Sequence, residues 1–226
     1  MPSVSPITQT QSPSTSRSRQ LKYLLWFLMG SATISVMLYS EIPLFRRTQE
    51  QQALRAMIWL IVPHVIAGTF AFLSGPLQFS SRIRRRNPKF HRILGRLYVG
   101  SVFIAAPLAV AMAARGHYNK SIYFLIATSI QSTAWVIPTA AAILAARARR
   151  IQQHRVWVVR SYAVTFTFIL TRVMQPIPGW SRLGRIGLAS AIVAITLFAF
   201  LTPEVASFLR RFIPLRAPAP GYKPST

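Results

Sequence analysis

Two histidines and two tyrosines stand out because each pair is set in the same run of cations. Arg82-Ile83-Arg84-Arg85 is followed by His91-Arg92 and then by Arg96-Leu97-Tyr98. Arg147-Ala148-Arg149-Arg150 is followed by His154-Arg155 and then by Arg160-Ser161-Tyr162. An imidazole among guanidiniums can hold an anion, move a proton or bind a metal through a ring nitrogen. On a regular helix Tyr98, seven positions after His91, shares its face, and Ser161 bears the same relation to His154. Gln78, ahead of the first run, could orient an imidazole by a hydrogen bond. Together Gln78, His91, Arg92, Arg96, Tyr98, His154, Arg155, Arg160 and Tyr162 form a candidate receptor for a lipid phosphate, a carboxylate or a haem propionate. His91 and His154 would also suffice as the two axial ligands of one b-type haem. They make a poor zinc site, since no third protein ligand is evident. Each arginine taken singly has a plainer reading, as an anchor that snorkels to a membrane interface.

A second group lies deeper in apolar sequence. His64 and Arg172 each interrupt a long hydrophobic run, and Gln131 interrupts another. Ionisable residues inside a membrane are costly and point to a functional site by default. The three form a second candidate site, at the depth of the outer leaflet. Other chemistries are excluded by composition. There is no cysteine and no aspartate, and the acids are Glu41, Glu50 and Glu204. Thiolate catalysis, iron–sulfur clusters and a glycosidase-type carboxylate pair within the membrane therefore have no residues to carry them. A Ser-His-acid triad lacks its acid, and no Gly-rich phosphate loop or zinc-protease motif occurs.

The elements that must position these side chains are apolar and long. The 226 residues are 52% hydrophobic, and 27 basic residues against three acids give a net charge of +24. The cations sit in short clusters between apolar runs, which fits acidic lipid headgroups rather than nucleic acid. Leu21–Ser40, Ala56–Ser80, Ile93–Ala114, Ser121–Ala146, Val156–Gln175 and Leu183–Phe208 are the apolar segments. Each is long enough to cross ~30 Å of hydrocarbon as a helix. Period-two alternation, as a membrane barrel needs, is not visible. The expected architecture is an all-α integral membrane bundle of about six transmembrane helices. Residues 1–20 and 210–226 are expected as flexible tails flanking a transmembrane domain over 21–209. With the amino terminus in the cytoplasm, 19 of the Lys and Arg residues fall on the inner side and eight on the outer. The positive-inside rule then puts both termini in the cytoplasm of a cell-membrane protein. The two arginine phrases end the second and fourth segments and open the third and fifth, which reads as a duplicated helix pair of one orientation.

In order along the chain, His64, Gly68, Gly75-Pro76-x-Gln78-Phe79, His91-Arg92-x-x-Gly95-Arg96-x-Tyr98, His154-Arg155-x-Trp157-x-x-Arg160-Ser161-Tyr162 and Arg172 resemble a multi-pass membrane family, domain of unknown function 2306. The resemblance covers about Ile58 to Phe200 and implies an integral membrane bundle, with no catalytic assignment. A narrower similarity is to cytochrome b561-type haem bundles, where histidines on consecutive helices pair across the core. His91 and His154 match one such pair. A partner for His64 on the fourth segment is missing, so that similarity implies one haem at most. Two functions are thus expected as alternatives: binding or transport of an anionic lipid or small anion at the inner-face Arg/His/Tyr cluster, or redox chemistry on one haem b held by His91 and His154.

Overall fold

The computed structural model describes residues 14–36, 38, 56–116, 121–174 and 177–204, and all its regular elements are helical. They are α1 (Ser14–Val36), α2 (Ile58–Phe79), α3 (Ser81–Arg86), α4 (Pro88–Ala114), α5 (Ile122–Arg147), α6 (Ile151–Met174), α7 (Pro178–Ser181) and α8 (Gly184–Phe200). Among the described residues α2, α4, α5 and α6 are long and apolar enough to cross a membrane. Helix α8 is a shorter apolar helix, and in α1 only Phe27–Val36 is apolar. Helix α1 begins inside the stretch expected as a tail, and the expected carboxy-terminal tail lies outside the described residues.

Lipid offers no hydrophobic drive between helices, so close approach of backbones has to come from small side chains. Helix α2 buries Ala67, Ala71 and Gly75, spaced four apart on one face. Facing it, α4 buries Ser101, Val102, Ala105, Ala106 and Ala109, and this pair has the most extensive contact in the molecule. Several large residues point away: Ile66, Phe70, Phe103 and Ile104 are exposed, while Phe72 is buried. In water such a surface would be an aggregation liability; against acyl chains it is the matching solvent. Helices α5 and α6 form the second close pair, α8 packs on both, and α1 rests on α6.

Local chemistry sets the ends. Asn87 accepts from Phe90 N at 3.0 Å and Pro88 occupies the first turn, so α4 starts five residues before its apolar run. The α5–α6 connection turns on Arg149 in the left-handed region, φ 58°. There Arg149 N donates to Ala146 O at 3.1 Å and Arg150 N to Ala145 O at 2.8 Å, closing the last turn of α5. Helices α2 and α5 run toward the arginine-rich end; α4 and α6 run away from it.

Candidate functional site

The sequence-predicted inner cluster separates into layers. Arg92, Arg96 and Arg155 are exposed at the arginine-rich end. Arg160 is not: it forms an ion pair with Glu204 and is 15% exposed. Its guanidinium lies 4.6 Å from the Trp157 ring and 5.4 Å from that of Phe200, so the chain's own carboxylate and two aromatic faces already hold it. His91 and His154 are half-buried and close enough to interact electrostatically, as are His91 and Arg84. His154 Nδ1 sits 2.9 Å from Ala142 O. Gln78 does not reach a histidine ring; its Nε2 donates to the backbone carbonyl of His91 at 3.1 Å.

The tyrosines lie in the core, 8% exposed each, with ring centroids 6.5 Å apart. Tyr98 belongs to a network of hydrogen bonds. Trp135 Nε1 donates to Thr165 Oγ1 at 2.9 Å; Thr165 Oγ1 lies 3.0 Å from Tyr98 Oη, and Tyr98 Oη 2.6 Å from Ser161 Oγ. Ser161 Oγ is 2.7 Å from Thr139 Oγ1, which donates to Trp135 O at 2.7 Å. Tyr98 donates to Ser161, Ser161 to Thr139 and Thr139 to the carbonyl of Trp135, while the Thr165 hydroxyl, which accepts from the indole, is shared between Tyr98 and Ser161 O at 3.1 Å. A network of this kind in low dielectric fixes α4, α5 and α6 against one another.

Tyr162 performs a different task. Pro76 has no N–H, so the carbonyl four residues before it, Phe72 O, loses its helical donor. The Tyr162 hydroxyl donates to Phe72 O at 2.9 Å. Its ring lies where a Cβ on Gly75 would be, so Gly75 opens the approach to the carbonyl that Pro76 frees. The donor for that carbonyl thus comes from α6, 90 positions along the chain. Met29 of α1 touches the same hydroxyl at 4.0 Å.

This core bears on haem. Tyr98, Ser161 and Tyr162 stand about two turns, roughly 10 Å, inward of His91 and His154, bonded and packed as above, and would form the floor beneath a group held between the two rings. Among the described residues no three His, Asp or Glu side chains group as a metal site.

The second predicted group does come together. His64, Gln131 and Arg172 line one cavity of about 140 Å³ in the half of the bundle away from the arginine-rich end. Its walls include Phe72, Phe124, Trp135, Phe168 and Trp180, with Gly68, Thr128 and Thr165 between them. His64 Nδ1 is 2.9 Å from Ala105 O. Gln131 Nε2 donates to Thr167 Oγ1 at 2.8 Å, and Thr167 donates onward to Val164 O. Arg172 is within electrostatic reach of His64. Sequence reasoning found the three polar residues by their depth in apolar runs. It missed the aromatic walls and the hydroxyl network beneath, because an aromatic in an apolar helix has no signature until its neighbours are known.

A family model described as "Predicted membrane protein (DUF2306)" matches residues 61–207. No curated protein and no solved structure gives a match.

Proposed function

The chain belongs to the DUF2306 family of predicted membrane proteins, and we propose that it binds the acidic head of a small amphiphile in the intramembrane cavity between His64, Gln131 and Arg172. The convergence of these three residues on one cavity walled mainly by aromatic and apolar side chains, with threonines between them, supports this reading. An arginine at that depth is costly in hydrocarbon, and an acidic oxygen gives it charge-assisted hydrogen bonds. The walls suit the apolar remainder of such a ligand. The exposed arginines at the other end act as a collar that draws acidic headgroups to the surface of the bundle. We infer from the charge bias that this end is cytoplasmic and, counting α1 and α8, that the chain crosses the membrane six times with both termini inside. A single haem between His91 and His154 is the second reading, resting on the closeness of the two half-buried imidazoles.

Native mass spectrometry of the detergent-solubilised chain tests the cavity. Wild-type protein should carry an acidic amphiphile that Arg172→Gln loses and that the exposed-collar variant Arg92→Gln with Arg155→Gln retains. Equal retention by Arg172→Gln would move the binding site elsewhere.

A further inference from the structure

The cavity's polar inventory says more about the head it takes, on the premise that the cavity is a binding site. We propose that the ligand head is a hydroxylated aromatic ring, a phenol or quinol, whose hydroxyl donates to His64 Nε2 while Arg172 holds a second, acidic oxygen on the same head.

His64 Nδ1 faces a backbone carbonyl at 2.9 Å. A carbonyl only accepts, so Nδ1 carries the hydrogen. In the neutral imidazole Nε2 then presents a lone pair and asks for a donor. An ionised phosphate or carboxylate satisfies Arg172 but brings no hydrogen to Nε2. A ring hydroxyl supplies the missing donor. Arg172 contributes the opposite character; a guanidinium carries only N–H donors and no acceptor, so what it faces in a ligand is an oxygen. Gln131 spends its amide N–H on Thr167 and keeps its carbonyl oxygen as a further acceptor.

Size and walls agree. A dry cavity of about 150 Å³ in an engineered protein takes one benzene ring, and this one measures about 140 Å³. Phe72, Trp135 and Phe168 give an aromatic guest edge and face contacts. Gly68 completes the argument. A glycine inside a helix costs about 1 kcal/mol relative to alanine, and a Cβ here would meet nothing within 4 Å. Gly68 lines the cavity with open space above it, so a larger side chain there would take up the room a ring needs.

The test uses the full chain in lipid nanodiscs and titration calorimetry with three probes: trimethylhydroquinone, its dimethyl ether, and dihexanoyl phosphatidic acid. The hydroquinone should bind saturably, and the ether, with no hydroxyl to donate, about tenfold or more weakly. His64→Phe should weaken the hydroquinone to a similar degree. Gly68→Leu, which fills open space and should not unfold the helix, should abolish binding. An ether that binds as well as the hydroquinone would overturn the proposed His64 contact. Phosphatidic acid binding that Gly68→Leu removes, with no hydroquinone binding, would overturn the ring head while leaving the acidic-amphiphile reading intact. Binding of neither probe would overturn both.

Discussion

Tyr162 compensates for two peculiarities of α2 at once: its ring covers Gly75, and its hydroxyl replaces the donor that Pro76 lacks. A buried carbonyl left unpaired costs about 1–3 kcal/mol. Tyr162→Phe should therefore destabilise the protein by about that amount, read as a shift in its unfolding by SDS or heat. In a Pro76→Ala background the restored N–H takes Phe72 O, so the same Tyr162→Phe change should cost clearly less. Equal costs in the two backgrounds would separate Tyr162 from the proline. Thr139 is a second such point. Thr139→Val removes the acceptor of Ser161 and breaks the network, and should cost about 1–2 kcal/mol in the same assay. Thr69→Val, at a half-buried position on the cavity wall, should cost less. Tyr98 and Tyr162 were legible in the sequence as residues too regularly placed to be incidental. Their task was not, because their partners stand 63 and 90 positions away. A chain read in order cannot say which helices will touch.

Helix ends were partly legible. Asn87-Pro88 is a start signal that apolar length alone overlooks, so α4 begins at Pro88 rather than Ile93, and His91 sits inside the helix. Arg149 was visible only as a charge. In the structure it occupies the left-handed position that ends α5, where a side chain costs about 1–2 kcal/mol relative to an unstrained residue. Arg149→Gly should raise stability by about 1 kcal/mol, with the helix content by circular dichroism unchanged. An unchanged or lowered stability would mean that the arginine gains more from its surroundings than its backbone loses. The small-residue face of α2 was present in the sequence as Ala67, Ala71 and Gly75, but the same spacing serves helices that pack and helices that do not. Contact with α4 decides it.

For the whole molecule, six crossings were expected from apolar length, and among the described residues four helices, α2, α4, α5 and α6, are long and apolar enough to cross. Which side they face rests on the arginine count and can be tested directly, because the chain has no native cysteine. Single cysteines at Arg84 and Arg149 should be labelled by a membrane-impermeant maleimide only from inside, and those at Arg115 and Arg182 only from outside. Labelling of Arg84 and Arg149 from opposite sides would break the antiparallel arrangement of the four helices. Chains are made and inserted from the amino terminus, and the donor for Phe72 O arrives 90 residues later. Until α6 enters, α2 carries an open carbonyl that hydrocarbon cannot satisfy. Insertion of this bundle should thus have an order written into it: α2 waits, hydrated or held at the insertion machinery, and becomes a finished membrane helix only when Tyr162 closes over it.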